Sequence, residues 1–237
     1  AFLLIGLLEL VLLVPLVIML PAKARKVPVA DHDAATAERN QLKTKLFKGP
    51  FLLLFFGTAL TAFTSLAALL NFPSYLLLCG YGAGTVSLMT ALGSGALMAG
   101  KILLGLLYDR LGLRKATLIV CIAVILGFVS LASLPSTAGL IGYVVFFGFG
   151  ASIGTVTPSY LASSFYHENR SQALGALQIA QGIGAALGTP LLARLLERFQ
   201  PLQLAWSVPI AAALLMSYLL LGSVAKFQRG EQASPSA

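Results

Sequence analysis

The sequence predicts an all-α, polytopic bundle of transmembrane helices, on three observations. Of its 237 residues, 58% are hydrophobic and 10% charged, against roughly 45–50% apolar and about 25% charged in a soluble globular domain. Seven apolar stretches are each long enough to cross a bilayer. The cations collect in alternate gaps between those stretches instead of along one face of them. The net charge of +8 therefore reads as basic loops beside lipid headgroups. A nucleic-acid surface would need a contiguous basic stripe, so the bilayer is the expected partner and nucleic acid is not.

A helix needs about 20 apolar residues to cross the roughly 30 Å hydrocarbon core. The qualifying stretches are 1–20, 50–77, 83–107, 116–134, 138–165, 171–196 and 203–225. Lipid offers no partner to backbone N–H and C=O groups, so each must be a helix or a strand of a closed barrel. The stretches lack period-two alternation, which excludes the barrel. Stretch 1–20 starts at Ala1 inside an apolar run, without a Met, a basic start or a cleavage site. It reads as a truncated helix, not a signal peptide, and an N-terminal portion is expected to be missing. Residues 21–49 form a polar linker without apolar period, a tether between that helix and a set of six at 50–225. A three-plus-three arrangement of inverted repeats is the expectation for those six. Residues 226–237 form a polar tail.

Lys and Arg stay on the cytoplasmic side of short loops. The linker holds Lys23, Arg25, Lys26, Arg39, Lys43, Lys45 and Lys48; Arg110, Arg114, Lys115, Arg170, Lys226 and Arg229 fall on the same side. Arg194 and Arg198 alone fall on the other. The linker and the C-terminus are therefore expected in the cytoplasm, and the chain as a multi-pass protein of the inner or plasma membrane. This topology sends Cys79 and Cys121 toward opposite faces, so no disulfide framework is expected.

Charges inside spans are costly and point to function. Lys101 lies eight positions before Asp109, roughly 12 Å deeper along a helix axis, where a Lys costs up to about 2.5–3.5 kcal/mol at the bilayer centre. Two readings stand side by side: a cation facing an aqueous cavity to receive an anionic substrate, or a Lys that snorkels to the headgroups. Thr61, Ser65 and Thr155 are polar groups in apolar runs that would line such a cavity. Thr58, Thr64, Ser152, Tyr160, Gln178 and Gln181 share that description, and each equally suits an interhelical hydrogen bond. Glu9, inside the first stretch, is a candidate for proton coupling. Gly184 and Gly188 have the spacing that lets membrane helices approach closely. Pro158, Pro190 and Pro209 are expected to bend their helices.

The segment from Gly105 to Lys115, Gly-Leu-Leu-Tyr-Asp-Arg-Leu-Gly-Leu-Arg-Lys, joins the third stretch to the fourth. Gly105 would let another helix come close and Gly112 would permit a tight turn. Asp109 would accept from a helix N-terminus, and Arg110, Arg114 and Lys115 would answer nearby acids; an ordinary basic turn is the plainer alternative. The spacing resembles the loop signature of the major facilitator superfamily, G-x-x-x-D-R-x-G-x-R-K. That resemblance implies the end of a sixth helix followed by helices seven to twelve of a twelve-helix carrier. It also implies a latch of Asp109, Arg110 and Arg114 that holds one access state. Glu168 and Arg170, in the loop after 138–165, are the expected companions of that latch. Gly100-Lys101-Ile-Leu-Leu-Gly105, and Phe147 to Pro158 leading to Ser164-Phe165, look like the monocarboxylate porter and oxalate:formate antiporter branch. Cations on the eighth and eleventh helices are associated with anion binding there. Stretch 171–196 has no cation at mid-depth, so the resemblance implies a monoanion.

Together these features lead to an expectation of secondary active transport of a small organic anion by alternating access. A coupling proton or counter-anion and the missing half of the same carrier would be partners; no cofactor, metal or catalytic residue is expected. An intramembrane hydrolase built on Gly93-Ser94-Gly95 would need a base, and His32 and His167 both lie in loops. A transporter-like receptor or a half-carrier remnant is the other alternative.

Overall fold

Five long apolar helices carry nearly all the residues that the computed structural model describes, which are 49–166, 169–199 and 201–232. They are α1 (Gly49–Leu78), α2 (Ala83–Ala132), α3 (Thr137–Phe165), α4 (Arg170–Arg198) and α5 (Leu202–Gln228). No strand occurs among the described residues, all of which fall in one unit, Leu46–Ala237. The expected helix at 1–20 with Glu9, the linker up to Lys48, and Glu168 lie outside the described residues.

The helices are built for lipid. Along α1 the buried positions Phe51, Leu54, Thr58, Thr61, Ser65, Ala68, Phe72 and Tyr75 follow steps of three and four, one continuous face. Leu52, Phe56, Leu66, Leu70 and Leu77 stand exposed. Such a leucine-rich exterior would aggregate in water and is the ordinary solvent-facing surface in hydrocarbon. Pro50 sits in the first turn, where its missing N–H would have had no helical partner anyway. One turn of α1, Ala62–Leu66, and one of α3, Tyr143–Phe147, widen to π geometry.

The expected spans 83–107 and 116–134 are continuous in α2, which is helical over 50 residues. A straight helix of that length would measure about 75 Å, more than twice the hydrocarbon thickness. The chain folds back instead at Gly112, whose backbone leaves the helical region at φ 75° and ψ 168°. The Tyr108 and Thr117 hydroxyls meet at 3.2 Å across the fold, although a straight helix would separate them by about 13 Å. Gly148 of α3 rests on Ala96 and Gly150 on Val124, positions about 42 Å apart on a straight helix. The five helices thus make six crossings, and the polar loop expected at 108–115 is the bend of a helical hairpin.

Helix α1 packs against α4 and α5, and α2 against α3. At the end away from Gly112, Trp206 packs edge-on against Tyr75 at 5.0 Å and beside Phe128 at 6.1 Å. The Tyr75 hydroxyl donates to the Leu131 carbonyl at 3.0 Å. This joins α1, the second arm of α2 and α5 at one end. At the other end, Phe227 stacks on Phe165 at 4.1 Å and meets Tyr166 edge-on, while Tyr166 meets Phe51. The open space between these two ends holds the site.

Candidate functional site

The π turn of α1 positions the first wall. Thr61 and Thr64 satisfy their hydroxyls within the helix, donating to the Gly57 and Leu60 carbonyls at 2.9 Å each. Ser65, one residue on, is 5% exposed and its hydroxyl has no hydrogen-bond partner among the described residues. A buried hydroxyl left unpaired costs about 1–3 kcal/mol, and π turns recur at functional sites because they displace side chains and carbonyls from the regular ladder.

Thr61 and Ser65 line a cavity of about 280 Å³ together with Lys101 from α2, Thr155 from α3 and Gln181 from α4. Leu66, Leu69 and Leu97 supply much of its apolar wall. The Gln181 side-chain amide donates to the Gly154 carbonyl, tying α4 to α3 at the rim. Lys101 is exposed to this space and makes no ion pair or hydrogen bond among the described residues. The arrangement combines one unpaired cation, one unpaired buried hydroxyl and an apolar surround. It can hold the charged head of a small ligand and cover a short apolar tail.

The hairpin bend at Gly112 lies about 16 Å from Lys101 along the first arm of α2. Tyr108 is buried beneath it, its hydroxyl 2.8 Å from that of Thr157 and 3.2 Å from that of Thr117, its ring stacked on Tyr160 at 4.5 Å. Asp109, Arg110, Arg114 and Lys115 are all exposed around Gly112. A tyrosine clamp thus fixes the bend to α3 while its charges stay free.

A family model described as the Major Facilitator Superfamily matches residues 1–189, from before α1 through most of α4. The chain belongs to the major facilitator superfamily. No curated protein matches it. This major facilitator is a multi-pass membrane transporter.

Within this major facilitator, Thr61, Ser65, Lys101 and Thr155 share the one cavity. Arg170 lines a second, wider cavity of about 470 Å³ that also has Lys101 and Thr155 in its wall. Among the described residues, a Cβ at Gly105 would meet nothing within 4 Å. Two features escaped the sequence reading. Tyr108 occupies an unspecified position of the loop signature, and leucines such as Leu69 carry no signal among so many. Outside the spans, burial pushes the Tyr81 and Tyr166 phenols and the Cys79 thiol above their ordinary values. All three stay protonated near neutral pH.

Proposed function

We propose that this transporter is a secondary carrier of a small organic monoanion, a monocarboxylate, and that the Lys101 cavity is part of its binding site. The observation that carries the reading is the unpaired Lys101 ammonium on the same cavity wall as the unpartnered Ser65 hydroxyl. The ammonium is a charged donor open to the cavity, and a carboxylate is the acceptor that suits it. Size agrees, since the cavity lies below the roughly 300–1,000 Å³ of drug-sized sites. The leucine wall suits a short alkyl tail and disfavours a second carboxylate.

Membership in the family supports alternating access, and the bend charges Asp109, Arg110, Arg114 and Lys115 with Gly112 would form its gate on the cytoplasmic face. The basic loops support that orientation. The test is uptake of radiolabelled lactate by the full-length protein in proteoliposomes, with pyruvate, acetate and formate as competitors. Lys101→Ala is expected to abolish uptake with expression and melting temperature intact, and Lys101→Arg to retain part of it. Unchanged uptake by Lys101→Ala would leave Lys101 as a snorkelling residue and remove the binding role.

A further inference from the structure

The second cavity begins where the first ends. Lys101 and Thr155 belong to both, and from Thr155 the second runs along α3 past Ser159 and Ser163 to Arg170 at the start of α4. Thr155, Ser159 and Ser163 are spaced one helical turn apart, so their hydroxyls form a row about 12 Å long. Each donates within its own helix, Thr155 to Ser152 at 3.3 Å, Ser159 to Thr155 at 3.1 Å and Ser163 to Ser159 at 3.0 Å. Those carbonyls already serve helical N–H groups, so each hydroxyl can turn toward a passing acceptor at small cost. Among the described residues the cavity wall carries two cations and no carboxylate. Arg170 is exposed and makes no ion pair among the described residues.

We propose that Arg170 is a second anion site, in series with Lys101 and joined to it by the hydroxyl row, where the substrate carboxylate is held before it reaches Lys101 or after it leaves. This rests on the organic-anion reading of the Lys101 cavity and extends it to the mouth. Lys101 and Arg170 enter the wall from different helices, and the hydroxyl row that runs between Thr155 and Ser163 is itself about 12 Å long, more than the roughly 8 Å Debye length of physiological salt. Neither serves the other's site directly, so two way-stations result instead of one clamp. A planar guanidinium holds a carboxylate through two parallel hydrogen bonds.

The experiment places a reporter on the row and needs no knowledge of the substrate. Ser163→Cys is made in the full-length protein with Cys79→Ala and Cys121→Ala, in detergent, where both faces are open. Its labelling rates by an anionic and a cationic methanethiosulfonate are compared, alone and with Arg170→Ala, Arg170→Lys or Lys101→Ala added. The anion-to-cation rate ratio is expected to fall roughly tenfold in Arg170→Ala, the lower end of what local charge does to encounter rates. It should stay within about threefold in Arg170→Lys and in Lys101→Ala. A ratio indifferent to Arg170, or one that follows Lys101 instead, overturns the proposal. Lactate is then added as protectant. Protection against the anionic reagent supports both readings. A ratio that depends on Arg170, with no protection by lactate, pyruvate, acetate or formate, keeps the Arg170 site and removes the monocarboxylate assignment.

Discussion

Ser65 carries one of three buried side-chain polar atoms without a hydrogen-bond partner among the described residues, beside those of Thr58 and Trp206, and it alone of the three belongs to a residue on the Lys101 cavity. A buried, unpaired hydroxyl destabilises its helix, and a neighbour such as Thr61 shows how easily a helix satisfies one. Replacing it with Ala removes the unsatisfied group and leaves little void. Ser65→Ala is therefore expected to leave the melting temperature in detergent unchanged or raise it slightly. If the hydroxyl donates to substrate, the same variant raises the KM for lactate about tenfold or more, the loss of one hydrogen bond to a charged group. Melting curves and uptake kinetics on one preparation separate the effects, and a lower melting temperature with an unchanged KM would make Ser65 structural. The sequence marked Thr61, Ser65, Lys101 and Thr155 one by one, as polar groups in apolar runs. Their meeting around one cavity depends on how three helices are rotated, which hydropathy does not encode. Arg170 was marked as a gate charge because topology puts its loop on the same face as the bend; its place on the second cavity follows from the packing of α4 beside α3.

At the scale of the helix, glycines divide into those that admit a neighbour and those that face open space. Gly184 and Gly188 of α4 lie directly against the Ala59 and Phe63 backbone carbonyls of α1, and a Cβ at either would overlap them. A Cβ at Gly182, in the same helix, would meet nothing within 4 Å. Gly184→Ala is accordingly expected to force α1 and α4 apart and lower the melting temperature, at a cost of about 1–3 kcal/mol typical of overpacking. Gly182→Ala should be neutral or mildly stabilising, since Ala is the better helix former by about 1 kcal/mol. Equal melting temperatures for the two variants would contradict the packing described here. The four-residue spacing of Gly184 and Gly188 was visible in the sequence, and it selected the pair that packs. The hairpin was less legible. Leu111, Leu113, Arg114 and Lys115 are good helix formers, so helix persists on both sides of Gly112 where charge alone suggested a loop. The π turns left no trace in hydropathy or charge; the one in α1 packs against α4 and the one in α3 against α2.

For the molecule as far as it is described, membrane-length helices and an apolar exterior were readable from composition and run length, because a bilayer makes the outside of a helix as demanding as the inside. How the bend communicates with the cavities was not readable, and it decides how the bend charges act. Tyr108 clamps the bend to Thr157, and its ring stacks on Tyr160, which lines the Arg170 cavity. The exposed charges sit outside that clamp and contribute nothing to it, since Asp109 makes no ion pair among the described residues. Asp109→Asn should therefore fold with an unchanged melting temperature. If Asp109 holds one access state through an exposed ion pair worth about 0–1 kcal/mol, its loss slows turnover by no more than about fivefold. The KM and the order in which pyruvate, acetate and formate compete with lactate should stay as they were. Raising the salt to about 1 M shortens the Debye length to roughly 3 Å. That should slow the unmodified protein toward the rate of Asp109→Asn while leaving the variant almost indifferent. A changed competition order would put Asp109 in contact with substrate, and a variant as salt-sensitive as the parent would show that another charge closes the gate.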